Sequence, residues 1–83
     1  MAAEEAGSQE LLEYIVKSLV DNPDDVHVDE SGHGRERVLA LSVASSDMGR
    51  VIGKSGRVIN AIRALVQVAA AKEGKQISVE VVE

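Results

Sequence analysis

Apolar residues near the start of the chain recur at spacings of three and four positions. The series comprises Leu11, Leu12, Ile15, Val16 and Leu19. It predicts a helix with one apolar stripe, because residues at these spacings lie on the same side of a helix. Ser8 is expected to cap this helix and Glu10 to lie in its first turn, where the helix dipole favours a carboxylate. The helix is predicted to end at Asp21-Asn22-Pro23, since proline cannot continue it.

Three later segments alternate between apolar and polar positions, which is typical of strands with one buried face. The first contains Val26 and Val28, the second spans residues 38–43 with Leu39, Leu41 and Val43 on one face, and the third contains Ile77, Val79 and Val81. Residues 31–34 have the sequence Ser-Gly-His-Gly. They are predicted to form the turn of an antiparallel hairpin between the first two strands.

Two helices are predicted between the second and third strands. Ser45-Ser46-Asp47 offers capping oxygens to a short helix over Met48–Ile52, and a longer helix runs from about Arg57 to Lys72, with Gly74 just beyond its end. The element order α-β-β-α-α-β predicts an α+β fold with helices on one face of a three-stranded sheet. A chain of 83 residues holds one core, so residues 8–83 are predicted to form a single domain after a flexible tail over residues 1–7.

Acidic and basic residues are distributed unevenly along the chain. The formal net charge is −5, but residues 1–30 hold nine acidic residues and one basic residue, whereas residues 31–83 hold eight basic and five acidic residues. The segment 48–72 carries five basic residues and no acidic one. A polyanion responds to the local field, so this segment favours a nucleic-acid ligand despite the net charge. An ordinary solvated helix face is the plainer interpretation of the same charges.

The chain contains no cysteine and no apolar run that approaches the roughly 18 residues of a membrane span. The missing cysteines exclude a disulfide framework and a thiolate metal site. Residues 1–7 contain two glutamates and no basic residue, which is not the pattern of a secretory signal. The expectation is a soluble cytoplasmic protein that does not associate with membranes.

Gly53-Lys54-Ser55-Gly56, the 53–56 loop, lies between the two predicted helices. Glycine lets a backbone turn sharply and approach a ligand closely, and the free N–H groups at the start of the next helix favour a phosphate. Gly53-Lys54-Ser55 also resembles the end of a Walker A loop, but only three residues separate Gly49 from Gly53, where that motif needs four. The loop also follows a helix rather than a strand, which excludes a nucleotide-hydrolysing P-loop.

The stretch from Gly49 to Ile59, Gly-Arg-Val-Ile-Gly-Lys-Ser-Gly-Arg-Val-Ile, resembles the signature of the KH domain. In that family, Gly-x-x-Gly flanked by aliphatic residues joins two helices. The predicted element order resembles the type II arrangement, and the resemblance covers the chain from about residue 8. The size and the stretch 47–53 make the chain similar to the KhpA family of small stand-alone bacterial KH proteins. The resemblance therefore implies a type II-like KH domain.

A KH domain clamps about four unpaired nucleotides, with its Gly-x-x-Gly loop on the RNA backbone. The resemblance therefore implies single-stranded RNA as the ligand. The residues implied to bind it are Arg50, Ile52, Gly53, Lys54, Ser55, Gly56, Arg57 and Ile59. The loop and the arginines would meet phosphate and sugar, and the isoleucines would shape an apolar floor or belong to the core alone. Arg63 either extends the phosphate track or is a surface residue.

Tyr14 is the only aromatic residue, and it lies in the first predicted helix. Stacking on aromatic rings, worth roughly 1–3 kcal/mol per base, is therefore largely missing. Weak binding with little sequence preference is expected, as in a low-specificity RNA chaperone or post-transcriptional regulator. The family resemblance implies a homodimer and a heteromer with a larger KH protein of the KhpB type. Apolar residues cover about half of the circumference of the long helix. This pattern fits a contact with a second chain, or a helix that is deeply buried within a monomer.

Two other functions are consistent with parts of the sequence. A protein-interaction module with a KH fold, acting as a scaffold or dimerisation partner, would explain the net acidity and the missing aromatics. His27 and His33, with Asp25 and Asp29 nearby, suggest a metal or acid–base site, but their spacing matches no established ligand pattern. No catalytic residue, metal ligand or cofactor is therefore predicted.

Overall fold

A computed structural model describes residues 7–82 of the chain. The helices are α1 (Ser8–Leu19), α2 (Met48–Ile52) and α3 (Arg57–Lys72), and the strands are β1 (His27–His33), β2 (Glu36–Ser42) and β3 (Gln76–Val82). Short 3-10 turns connect them at Pro23–Asp25, Ser45–Asp47 and Lys54–Gly56. This order confirms the predicted α-β-β-α-α-β arrangement.

The three strands form one mixed sheet in the order β1-β2-β3. β1 and β2 are antiparallel, with His27 opposite Ser42, whereas β2 and β3 are parallel, with Leu39 opposite Val79. Parallel neighbours need a crossover connection, and α2 and α3 supply it. This crossover brings the end of β2, α2, the 53–56 loop and the start of α3 to the same end of the domain.

The core lies between the helices and one face of the sheet. The most deeply buried side chains are Leu12, Val16, Leu39, Leu41, Val51 and Val66. Val28, Leu39, Leu41, Ile77 and Val79 are buried as the alternation of apolar residues predicts. Val26 and Val43, which the sequence places in the first two strands, lie just outside β1 and β2. Leu19, the last member of the predicted stripe on α1, is 37% exposed, because the helix ends there and the chain turns towards Pro23. Within residues 7–82, no helix has the length and apolar content that crossing a bilayer requires.

The start of α1 differs from the prediction, since Gly7 rather than Ser8 is the N-cap. The Gly7 N–H donates to Glu10 Oε1 at 2.9 Å, and the Gly7 carbonyl accepts from the Leu11 N–H at 3.0 Å. Ser8 is buried instead, and its N–H donates to Glu73 Oε1 at 3.3 Å. Gly7, assigned to the tail by the sequence, is thus part of the domain. Residues 1–6 of the predicted tail lie outside the described residues.

The hairpin turn is shorter than predicted, because residues 31–33 belong to β1. The connection consists of Gly34 and Arg35, with Gly34 at a φ of 59° as two-residue hairpin turns require. Gly32 allows the strand to continue through this turn-rich stretch. A Cβ at this position would lie 2.4 Å from the Glu36 carbonyl oxygen, so only glycine fits there.

The other face of the sheet, the open sheet face, is turned away from the helices and carries no lysine or arginine. Its residues are His27, Asp29, Ser31, His33, Glu36, Val38, Ala40, Ser42, Gln76, Ser78, Glu80 and Val82. Three carboxylates, those of Asp29, Glu36 and Glu80, are exposed on it. The domain therefore has an acidic face opposite the helical face that carries the 53–56 loop.

The end of α3 is closed as the sequence predicts. Gly74 has a φ of 72°, and its N–H donates to the Ala71 carbonyl at 3.1 Å. The next N–H, that of Lys75, donates to the Ala70 carbonyl at 2.9 Å. This paired arrangement is the Schellman motif, which satisfies the last carbonyls of the helix. It leaves Lys72 exposed in the final turn.

Candidate nucleic-acid interface

The 53–56 loop joins α2 to α3 through a backbone that glycine adopts far more easily than other residues. Gly53 has φ 76° and ψ 174°, a combination that only glycine populates readily. Gly56 has φ 75° and ψ 15°, in the left-handed region. The loop closes on itself with a hydrogen bond from the Gly56 N–H to the Gly53 carbonyl at 3.2 Å.

The two glycines are required for different reasons. A Cβ on Gly53 would lie 2.4 Å from Val58 Cγ2 and 2.9 Å from the Val58 nitrogen, so the first turn of α3 packs directly on this glycine. A Cβ on Gly56 would meet nothing closer than Asn60 Nδ2 at 3.7 Å. Gly53 is therefore needed for both close packing and conformation, and Gly56 for conformation alone.

Ser55 lies at the exposed tip of the loop in a strained conformation. Within residues 7–82 it is the one residue other than glycine with a positive φ, at φ 57° and ψ 26°. This conformation costs roughly 1–2 kcal/mol for an ordinary residue. The backbone N–H groups of Lys54 and Ser55 donate to no acceptor in the described part of the chain. The tip thus offers two N–H groups, a hydroxyl and a lysine to solvent.

The other predicted contact residues occupy three kinds of environment. Arg57 is exposed at the start of α3, next to the loop, and Ile52 is half-buried at the end of α2. Ile59 is 5% exposed and belongs to the core cluster, so it can only support the surface from below. The structure therefore brings Arg57 and Ile52 together with the loop and places Ile59 beneath it.

Arg50 is held by groups at the end of α1. Its Nη1 donates to Asp21 Oδ1 at 3.1 Å and lies 3.4 Å from the Leu19 carbonyl oxygen. Both side chains of the ion pair are more than half exposed, so the pair itself adds little stability. Its effect on the site is to engage one end of the guanidinium and to neutralise part of its charge.

Asn60 and Arg63 line the side of α3 that faces β3. Arg63 Nε donates to the Val79 carbonyl at 3.1 Å, and Arg63 Nη1 donates to Asn60 Oδ1 at 3.2 Å. Asn60, which the sequence analysis missed, follows Gly56 by four residues and is exposed. That spacing is one helical turn, and it would have been enough to place Asn60 on the same side of α3 as the loop.

Asp47 connects the segment after α1 to the start of α2. Its carboxylate accepts hydrogen bonds from the Asp21 N–H, the Asn22 N–H and Asn22 Nδ2, each at 3.1 Å. The prediction that this carboxylate caps α2 is wrong, because the side chain makes no bond to the helix that it precedes. It is buried and organises a neighbouring loop instead.

The pKa of the Asp47 carboxyl reflects these bonds. Burial raises it, but the hydrogen bonds from Asp21 and Asn22 and the nearby charge of Arg50 lower it, and the net pKa lies below the usual value. A carboxyl with a lowered pKa in the folded state stabilises the fold above its unfolded pKa, about 3.9. That stability is lost as the pH falls from about 4 through the lower folded pKa.

Asp47→Asn is expected to lower the midpoint of thermal unfolding at pH 7 by roughly 5 °C, because a neutral amide replaces an acceptor of three hydrogen bonds. The difference from the wild type should shrink as the pH falls from about 4 through the lowered folded pKa, because the wild-type carboxyl becomes protonated over this range. Circular dichroism melts over this pH range measure both effects. Asp24→Asn, at an exposed position, is the control; an equal shift in both variants would contradict the role assigned to Asp47.

The histidines do not form a site. His27 and His33 occupy the two ends of β1, which places them about 20 Å apart along the strand. No group of three or more potential metal ligands lies together within residues 7–82. The alternative of a metal or acid–base centre at these residues therefore has no support in the geometry.

The element order, the mixed sheet and the glycine-flanked loop between adjacent helices define a KH domain of type II. A family model described as "KhpA/KhpB, KH domain" matches residues 9–81. The chain belongs to this family, which confirms the resemblance seen in the sequence. It is a family of KH domains and not of enzymes.

Several relatives match almost from end to end. RNA-binding protein KhpA of Clostridium perfringens is 51% identical over 74 residues, which cover 89% of this chain and 99% of that protein. The protein of the same name in Caldanaerobacter subterraneus subsp. tengcongensis is 51% identical over 73 residues, with coverages of 88% and 97%. That of Chlamydia trachomatis is 43% identical over 75 residues, with coverages of 90% and 96%.

Proposed function

We propose that this chain binds single-stranded RNA through the 53–56 loop and acts as a low-specificity RNA chaperone or post-transcriptional regulator. The loop itself carries the proposal. It exposes two unused N–H groups and Lys54 at the start of α3, inside a 25-residue segment without an acidic residue. Relatives named RNA-binding proteins support the same ligand class. A cytoplasmic location stays a prediction.

The proposed path of the RNA follows from the positions around the loop. Phosphates would lie against the N–H groups of Lys54 and Ser55, and the positive end of α3 adds to their attraction. Bases would extend over Ile52 towards Asn60 and Arg63, beside β3. No aromatic ring lies on this path, since Tyr14 projects from α1 and is 72% exposed. Weak discrimination between bases is the expected result.

The double substitution Lys54→Asp/Ser55→Asp is expected to weaken RNA binding at least tenfold, because it places carboxylates where phosphates would lie. Aspartate tolerates the left-handed conformation of position 55 better than most residues, so the fold should survive. Filter binding with a labelled twelve-nucleotide single-stranded RNA measures the effect.

Lys17→Asp/Ser18→Asp supplies a matched control, because it makes the same two changes at adjacent exposed positions on α1. Circular dichroism establishes that both variants are folded. The proposal fails if the loop variant is folded and binds RNA as tightly as the wild type, or if both variants lose the same affinity.

We also propose that the chain pairs with a second copy through α3. The apolar residues of this helix divide into two sets. Ile59, Ile62 and Val66 are buried against the sheet, whereas Leu65 and Val68 are 55% and 62% exposed on the opposite side. Together with exposed Ala61 and Ala64 they form the α3 stripe. An exposed apolar stripe of this kind favours a protein contact.

The composition of the α3 stripe favours an antiparallel pair of α3 helices. A two-fold axis between Ala64 and Leu65 places Leu65 of each copy against Ala64 of the other, and Val68 against Ala61. Large residues then meet small ones throughout, which fills space evenly. A parallel pair would place alanine against alanine and leave gaps. The matching family model is shared by KhpA and KhpB domains, so a larger KhpB-type protein is proposed as an alternative partner for the same stripe.

A further inference from the structure

We propose that Lys72 serves the RNA-binding loop of a second copy rather than the loop of its own copy. The inference rests on the proposed function of the 53–56 loop and on the antiparallel pairing of α3. It adds a contact that neither proposal contains: each RNA site would be built from two chains.

Within one copy, Lys72 is far from the loop. α3 spans 16 residues from Arg57 to Lys72, which separates their backbones by about 22 Å along the helix axis. A lysine side chain reaches far less than this distance. Lys72 of the same copy therefore makes no contact with a phosphate held at Lys54 and Ser55.

Pairing changes this relation. Residues 57 and 72 are symmetric about the midpoint between Ala64 and Leu65, as are residues 61 and 68. The register that matches large to small residues in the α3 stripe thus also places the second copy's Lys72 beside Arg57. Arg57 follows Gly56 directly, so the ammonium group of the second copy arrives at the 53–56 loop.

The charge of Lys72 is available for this purpose. Among residues 7–82 it forms no ion pair. The neighbouring carboxylate, Glu73, is bonded instead to the N–H of Ser8 at the start of α1. Each end of the α3 pair would therefore bring together two cations, Arg57 and the second copy's Lys72, with no carboxylate of residues 7–82 between them.

Two adjacent like charges oppose pairing, and a phosphate between them reverses the effect. RNA binding and pairing are therefore linked, and each must strengthen the other by the same factor. Adding RNA should accordingly lower the dissociation constant of the dimer. Lys72→Ala should remove most of this linkage while leaving the α3 stripe intact.

The decisive experiment mixes two defective variants. One is Lys54→Asp/Ser55→Asp, whose loop is not expected to bind RNA. The other is Lys72→Ala, which keeps the loop and lacks the lysine at position 72. In a mixed dimer, the loop of the Lys72→Ala copy faces Lys72 of the loop variant, so one complete site forms. Fluorescence anisotropy with a labelled six-nucleotide single-stranded RNA, a length little above the four that a KH domain clamps, reports its affinity.

Lys72→Ala alone is expected to weaken RNA binding about fivefold to tenfold, as for one hydrogen bond of ordinary net strength. Lys75→Ala, at a position beyond the end of α3, should change this affinity less than about twofold. An equimolar mixture of the two defective variants should show a component with wild-type affinity that neither variant shows alone. A mixture that titrates as the average of its two components overturns the inference.

The outcome separates this inference from the proposals on which it rests. If the wild type binds no RNA, or binds it independently of the loop, the proposed function fails. If binding needs the loop but Lys72→Ala behaves as the wild type, only the role of Lys72 fails. If Lys72→Ala and Lys75→Ala lose the same RNA affinity, the effect of Lys72 is one of net charge in general. That result would also overturn the inference.

Discussion

Gly53→Ala is expected to lower the free energy of unfolding by about 3 kcal/mol and to remove RNA binding by the loop. The backbone of Gly53 lies in a region that is essentially restricted to glycine, which costs alanine roughly 1–3 kcal/mol. The added Cβ would also stand 2.4 Å from Val58 Cγ2, and such overpacking costs about 1–3 kcal/mol. The loop must move away from the start of α3 to relieve it, and this movement displaces the proposed phosphate site.

Gly56→Ala separates conformation from packing. Its φ is almost the same as that of Gly53, 75° against 76°, but its ψ of 15° instead of 174° places it in the left-handed region, which is less costly for alanine, and the space around it is open. It should lower the free energy of unfolding by only about 1–2 kcal/mol. Urea unfolding measures both variants, and filter binding measures their affinity for RNA. Equal destabilisation by the two substitutions would contradict the larger cost assigned to Gly53 from its backbone region and its contact with Val58.

Leu65→Glu is expected to raise the dissociation constant of the proposed dimer by at least about a hundredfold. Each copy would bury a carboxylate against the alanines at the centre of the pair, without a partner for its charge. The isolated domain should keep its fold, because Leu65 is 55% exposed and glutamate is a good helix former. The substitution therefore tests association rather than folding.

Sedimentation equilibrium over a range of protein concentrations measures this effect. Gln67→Glu provides the matched control, since it makes the same change in charge at an exposed position of α3 outside the stripe. It should leave the dissociation constant within about threefold of the wild-type value. A wild-type protein that stays monomeric at all concentrations, or a Leu65→Glu variant that pairs normally, would refute pairing through the α3 stripe.

Periodicity predicted the elements well because each of them buries one face. The errors lie where local residue types and tertiary contacts disagree. Ser8 has the side chain of a typical cap, but it is drawn into the contact with Glu73, and Gly7 caps the helix through its backbone. Residues 31–33 have turn-like composition, yet pairing with β2 keeps them in the strand.

The loop was predictable because its chemistry is local, whereas its surroundings are not. The glycines of the 53–56 loop are close in sequence, and their roles follow from backbone conformation. The ion pair of Arg50 joins residues 29 positions apart, and the Asp47 carboxylate reaches a segment 25 positions away. Nothing in the sequence signals these pairs. Nor does the periodicity of α3 tell which half of its apolar surface meets the sheet.

The acidity of the open sheet face has a consequence for RNA coated by many copies. In the proposed pair the helical sides of the two copies face each other, so the two open sheet faces form the outer surfaces of each pair bound to the strand. Asp29, Glu36 and Glu80 of each copy would then point outwards. Such a coated strand keeps the negative sign of naked RNA on its exterior, and like-charged particles repel one another over about 8 Å at physiological ionic strength. Coating would thus keep transcripts dispersed instead of condensing them.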